Sequence, residues 1–407
     1  MRRVVVTGMG GVTALGSAWE AIEERLRSGR NAVRRMPEWD YVESLNTRLG
    51  APIDDFQPPA RYPRKMVRSM GRVSLLSVCA AEAALADAGL IGDASLCDGR
   101  TGVSYGSSSG SVEPVRAFGR LEESGSMRGV TSTSYIQMMP HTAAVNIGLF
   151  FGLRGRVVPT SSTCVSGSQG IGYAYEAIRF GRQDAMLAGG AEELSVSGAA
   201  VFDTLFATSC RNDSPESTPR PFDAERDGLV VGEGAATLFL EEYARAKARG
   251  AKIYAEVVGF ACNSDGRHVT QPDSATMTAV MRQALDDAGV PASEIAYVSA
   301  HGTATDRGDE AEALATSEVF GNKTPLSSMK SYIGHTLGAC GAIEAWWCVE
   351  MLRRGWFAPT INLDTPDEKC AALDHIVGAG RNIDAEYVVS NNFAFGGINT
   401  SLVFRLI

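Results

Sequence analysis

The chain has no C-x-x-C pair, and none of its eight cysteines sits beside a histidine at zinc-ligand spacing. Cys79, Cys97, Cys164, Cys210, Cys262, Cys340, Cys348 and Cys370 are scattered through 407 residues. That pattern argues against a disulfide framework and for free thiols in a reducing compartment, so the expected location is the cytoplasm. Positive charge is in deficit, with a net charge of −9, and nothing in the total points to nucleic acid. Long apolar runs are missing too. Stretches such as residues 145–153 fall far short of a membrane span. The start, MRRVVVTGMGGVTALG, has the basic and apolar residues of a secretory leader, but glycines interrupt it and it reads as folded structure. The third glycine of a dinucleotide-binding turn is absent. Gly8 and Gly10 are followed by Thr13, and Ser17 with Glu20 predicts a capping box that starts the helix too late.

Glycine, in contrast, is plentiful at 44 residues, and 44% of the chain is apolar. Strand patterns at residues 3–7, 102–105, 185–188, 235–240, 253–260, 295–300 and 325–328 alternate with helical ones, which predicts an α/β fold with covered sheets. The GMGG after the first strand reads as a turn, and residues 113–140 as a polar surface excursion. Gly250 closes a helix and marks the best boundary, dividing the chain into 1–250 and 251–407. TSSTCVSGSQG in the first part and SSMKSYIGHTLGACG in the second share one plan: a strand, a Ser/Gly turn with a reactive residue, then a helix of small residues. This suggests an internal duplication.

Residues 157–180, VVPTSSTCVSGSQGIGYAYEAIRF, hold the centre of the plan. Ile171, Ala174, Tyr175 and Ile178 recur at helical spacing, and Cys164 stands where strand gives way to helix. Free N–H groups and the positive end of the helix dipole there favour a thiolate nucleophile. For a lone cysteine a small buried thiol is the commoner reading, and the rest of the chain must reverse it. His301 and His335 fall at the mouth-side ends of strands, where open α/β sheets gather their sites, and two such histidines suit a thiol nucleophile. Lys330, five residues before His335, needs a carboxylate that Glu312 or Asp309 could supply. In residues 393–397, FAFGG, the N–H groups of a turn would face the site and Phe would shape it. Arg61, Arg64, Lys65, Arg68 and Arg72 form a basic cluster that is either a solvated helix start or a docking patch.

Together these motifs resemble the elongating β-ketoacyl-[acyl-carrier-protein] synthases, Cys-His-His condensing enzymes of the thiolase superfamily. The resemblance runs from VVVTGMGGVTALG through TCVSGSQGIG, AGGAEE, RPFDAERDGLVVGEGA, HGTATDRGDEAEA and SSMKSYIGHTLGACGAIE to NNFAFGGIN. It implies a thiolase-like fold of two similar βα halves in an αβαβα arrangement, a homodimer and an acyl tunnel. Cys164 matches the nucleophile, and His301 and His335 match the histidines that promote malonyl decarboxylation. Lys330 matches the nearby lysine and Glu312 its glutamate partner. Phe395 matches the gate of the acyl site, and the N–H groups of Cys164 and Phe395 match the oxyanion hole. The substrate set is Phe393, Phe395, Ser109, Phe202, Thr303 and Thr305. Acyl and malonyl groups would arrive on acyl carrier protein, docking at Arg64, Lys65 and Arg68. No metal or nucleotide cofactor is implied.

Departures from the family pattern include Thr163 before the cysteine, Asp306 for a common proline, and Tyr332 and Ile333 before His335. Ser109 stands near the tunnel floor, and Phe206 where a basic docking residue is frequent. The pattern implies fatty-acid elongation, with a specialised polyketide or aryl polyene ketosynthase as the alternative. A non-catalytic chain-length factor would have lost Cys164.

Overall fold

A computed structural model describes residues 1–54 and 56–407. The first half of the chain supplies strands β1 (Val4–Thr13), β2 (Thr101–Gly106), β3 (Val157–Thr160), β4 (Ala185–Glu192) and β5 (Gly234–Glu242). The second supplies β6 (Ala255–Ser264), β7 (Ile295–Ser299), β8 (Pro325–Ser327), β9 (Tyr387–Ala394) and β10 (Ile398–Arg405). Their order across the sheet is β8-β7-β9-β10-β6-β1-β5-β4-β2-β3, with the two-residue strand Asp374–His375 beyond β8.

Numbered within each half, both sets run first-fifth-fourth-second-third. In both, the first two contacts of that series are antiparallel and the last two parallel. An identical order with identical directions is the signature of two similar βα halves. The halves join where Val4–Val6 of β1 pairs antiparallel with Ala255–Val257 of β6.

The helices that matter most are α1 (Trp19–Arg27), α2 (Arg72–Asp87), α3 (Ser166–Arg179), α4 (Ser274–Ala288), α5 (Asp306–Phe320) and α6 (Cys340–Arg354). α3 and α6 pack on each other between the two halves of the sheet, α2 covers the outer face of the first half, and α4 and α5 cover the second. The three largest apolar cores fill the spaces between these layers. The central one joins Ile171, Ile178, Ile343 and Trp347 to strands of both halves. The outer two lie under α2 and under α4 with α5.

Small residues set these spacings. The GMGG segment is strand, because β1 continues through Thr13. A Cβ at Gly8 would lie 2.2 Å from the Ala84 carbonyl oxygen, and one at Gly10 would lie 2.4 Å from the Ala83 Cβ, so these glycines let α2 rest on the sheet. α3 and α6 cross the same way: a Cβ on Gly167 would be 2.7 Å from the Ala342 nitrogen. The expected capping box does not form. The N-cap of α1 is Ala18 with no side-chain cap, and Glu20 turns outward to Arg354 at 3.2 Å. The 113–140 excursion is more ordered than its polarity suggested, carrying helices Val112–Ser124 and Ser134–Met138. No helix among the described residues is long and apolar enough to cross a membrane.

Candidate active site

Four strand ends deliver the chemistry to one cavity of about 550 Å³. After β3 the chain makes a tight turn, Thr163–Val165, and Cys164 arrives buried beneath the start of α3. His301 follows β7 by two residues. Lys330 and His335 follow β8, and Phe393 and Phe395 close β9. Cys164, His301 and His335 each present an atom within 4.8 Å of the others.

Strain clusters here. Thr163, Ala304 and Leu337 all hold positive φ (49°, 65° and 48°), each within three residues of Cys164, His301 or His335. Left-handed backbone is uncommon outside glycine, most of all for a β-branched threonine, and such outliers gather at functional sites. At Thr163 the hydroxyl donates to the Phe395 carbonyl (3.0 Å), tying the Cys164 turn to the β9–β10 hairpin.

Hydrogen bonds set the imidazole tautomers. The His335 Nδ1 accepts the Leu337 N–H (3.2 Å), so its proton sits on Nε2, which is buried and has no partner among the described residues. The Lys330 ammonium lies 3.1 Å from the His301 Nδ1, which must therefore accept and leave Nε2–H as the donor. Burial, reinforced by the positive Lys330, pushes both imidazoles far below their ordinary pKa. Two neutral rings thus offer N–H groups to the space beside the sulfur.

The Cys164 thiol departs from the thiolate expectation. Burial pushes it up to about 11, outweighing Lys330 and the N–H groups of Phe395 and Cys164, which favour the anion. At neutral pH the resting group is a thiol. Alkylation of Cys164 by iodoacetamide should therefore rise about tenfold per pH unit from pH 7 to 9.5, the thiolate fraction growing in that proportion. A plateau below pH 8, read from inactivation rates, would show a thiolate already formed.

Comparison with known proteins fits this geometry. Residues 1–246 match the family described as "Beta-ketoacyl synthase, N-terminal domain" and residues 254–364 the one described as "Beta-ketoacyl synthase, C-terminal domain". The chain belongs to the beta-ketoacyl synthase family. It is 38% identical to 3-oxoacyl-[acyl-carrier-protein] synthase 2 of Vibrio harveyi, covering 100% of this chain and 99% of the relative. A beta-ketoacyl synthase from Burkholderia phymatum STM815 superposes with a TM-score of 0.99 at 68% identity, over 100% of both chains. The ishigamide ketosynthase/chain length factor superposes with a TM-score of 0.91 at 30% identity, covering 100% of this chain and 99% of the other. Those solved synthases share the thiolase-like, two-half architecture.

Within this synthase, Cys164, His301, His335, Glu312, Phe202, Thr303, Thr305, Phe393 and Phe395 all line the cavity. The Phe202 ring lies 5.3 Å from that of Phe395 and 6.5 Å from His335. Ser109 lies outside that lining; its hydroxyl donates to Glu192 (3.3 Å). Arg64, Lys65 and Arg68 are exposed at the short helix Arg64–Val67 and, among the described residues, have no carboxylate partner.

The expected Lys330–Glu312 pair needs correcting. Lys330 pairs with Glu344 of α6 at 2.5 Å. Glu312 instead accepts the backbone N–H groups of His301 (2.7 Å) and Gly302 (2.6 Å). Asp309 accepts those of Thr303 and Ala304. α5 thus uses its buried acids to hold the His301 loop, and burial raises Glu312 to about 8 and Asp309 to about 6.

Sequence reasoning also missed Asn392, whose amide donates to Glu344 (2.6 Å), and Cys340, whose thiol donates to the Cys164 carbonyl (3.1 Å). It missed Glu192 as well, which accepts the Gly338 N–H (3.0 Å) and so braces the His335 loop. A signal existed for Glu344: a lone carboxylate inside the apolar run ACGAIEAWWCV almost never lies buried unless paired.

Proposed function

We propose that this synthase elongates fatty acyl chains by decarboxylative condensation on acyl carrier protein. The observation that carries the reading is the convergence on the Cys164 thiol of two neutral imidazole N–H donors and two main-chain N–H groups. In the first step the Cys164 sulfur attacks the acyl thioester carbon. The new S–C bond replaces the bond to the carrier's arm, and the thiol proton leaves with the arm's sulfur. In the second, the malonyl thioester loses carbon dioxide, and the electron pair of the broken C–C bond becomes an enolate. Its oxygen is held by the Nε2–H groups of His301 and His335. In the third, the enolate carbon attacks the acyl carbon on Cys164. Charge collects at the N–H groups of Cys164 and Phe395, the C–S bond breaks, a 3-oxoacyl carrier departs, and the Cys164 thiolate released takes a proton back from water. Neither imidazole serves as a base toward the sulfur in this tautomeric state, because both Nε2 atoms bear protons.

The chain serves this role as a homodimer in the cytoplasm. Among the described residues β3 ends the sheet with its outer edge unpaired and Val157 exposed, an edge that a second copy could extend. Arg64, Lys65 and Arg68 supply the basic part of the carrier's landing surface. The test is intact mass after exposure to carrier protein bearing saturated, unsaturated or aryl-polyene acyl groups, beside Cys164→Ala. A Cys164-dependent adduct with plain fatty acyl chains, discharged by malonyl-carrier protein, is the expected result. An adduct only with conjugated chains would overturn fatty-acid elongation in favour of a specialised ketosynthase. No adduct from any donor would leave only a chain-length-factor role.

A further inference from the structure

The mouth of the Cys164 cavity sets three exposed apolar side chains among polar ones such as Asp227, Gln271, Asp306 and Arg307. Leu205, Phe206 and Val269 line it with 44%, 88% and 67% of their surface exposed. Phe206 is the outlier among them. It closes the helix Val196–Asp203, where the Ala207 N–H returns to the Phe202 carbonyl (3.0 Å) and the Phe206 N–H to that of Asp203 (2.9 Å). This pair of bonds is the Schellman closure, whose left-handed residue is usually glycine. Here that residue is Phe206, with φ of 53°. A bulky side chain in that conformation costs stability, and an aromatic ring left in water gains none back.

The position is tied to the gate. Phe202, one turn earlier on the same helix, packs against Phe395. On the other side of the mouth, the Val269 carbonyl accepts the Gly396 N–H at 2.7 Å. Arg307 also lines the cavity, exposed in the first turn of α5, and has no carboxylate partner among the described residues. A cation there opposes the helix dipole. Two locally unfavourable choices therefore face solvent across one opening.

We infer that Phe206, with Leu205 and Val269, is an apolar anchor on which the acyl carrier protein docks, and that the cognate carrier presents an apolar helix face bordered by acid. This rests on the reading given under Proposed function. A carrier must land around this mouth for its arm to reach Cys164, and large aromatics ringed by polar groups are the usual energetic centres of such contacts. Arg307 meets the acidic border. The remaining basic contribution comes from Arg64, Lys65 and Arg68.

The test compares octanoyl-carrier protein with octanoyl-pantetheine as donors to Cys164, using wild type and Phe206→Gly. Glycine suits the left-handed position, so the variant should be at least as thermally stable as wild type. The expected result is at least a tenfold loss of kcat/KM with the carrier-borne donor and less than a twofold change with the pantetheine donor. An equal loss with both donors would overturn the inference by placing Phe206 in the acyl site. No loss with the carrier would overturn it outright. A change in oligomeric mass would reassign the patch to a second copy of this chain. Failure of wild type to acylate from either donor would instead defeat the condensing-enzyme reading.

Discussion

Replacing His335 by Ala should lower condensation about 100- to 1,000-fold, the usual cost of deleting one donor to a developing oxyanion. The His335 loop is rigid: its N–H donates to the Val230 carbonyl at 2.7 Å, and its own carbonyl accepts the Gly232 N–H at 2.9 Å. With Nδ1 occupied by the Leu337 N–H, the ring can only aim Nε2–H into the cavity. Burial keeps the ring neutral, so the donor needs no protonation event in the working range. Loss of the donor acts on the enolate, which exists only after decarboxylation. Acylation of Cys164 should therefore fall much less than carbon dioxide release from malonyl-carrier protein. His335→Gln can still present an N–H and should recover part of the lost rate, which a general base would not. The double variant with His301→Ala should lose far less than the product of the two single losses, because both donors serve one oxygen. Equal damage to acylation and decarboxylation, measured as separate half-reactions, would show that His335 acts on the thiol.

The parts of this site readable in the sequence were those carried by short, continuous signals. Cys164 at a strand-to-helix junction, and His301 and His335 at strand ends, announced themselves because each strand's length and each turn's composition are local. The repeat was legible for the same reason, and the strand order confirms it at the level of the whole sheet. What remained hidden was contact across the layers. The resemblance pairs Lys330 with Glu312 of the preceding helix, yet its partner is Glu344 of the following one, where α6 passes beneath the β9 end and Asn392 completes the contact. Glu20 looked like a capping residue until Arg354, far along the chain, drew it away. The thiol's state was also non-local. The helix start favours the anion as expected, but the amount of protein around the sulfur decides the sign.

The Lys330–Glu344 pair, which the resemblance misassigned to Glu312, also yields the largest expected change in stability. Lys330 is 1% exposed and Glu344 2%, and they meet at 2.5 Å with Asn392 on the second carboxylate oxygen. Burial alone would lower the Lys330 ammonium, but Glu344 outweighs it and holds the lysine charged. Lys330→Met would strand the carboxylate in the interior, and removing one partner of a buried pair typically costs about 3–5 kcal/mol. A marked fall in the denaturation midpoint is expected. The double variant Lys330→Met/Glu344→Leu removes both charges and should recover most of that loss, since an apolar pair of similar volume can replace a buried ion pair. Activity should not recover with it. Without the ammonium 3.1 Å from Nδ1, nothing cationic holds His301 in the tautomer that points Nε2–H at the enolate. Stability restored without condensation would thus separate the two duties of Lys330. If the single variant unfolds at the wild-type midpoint, Glu344 is already protonated in the native protein and the charged pair is not what holds this layer together. If the double variant regains both stability and rate, Asn392, 3.4 Å from the same ring nitrogen, suffices to orient His301.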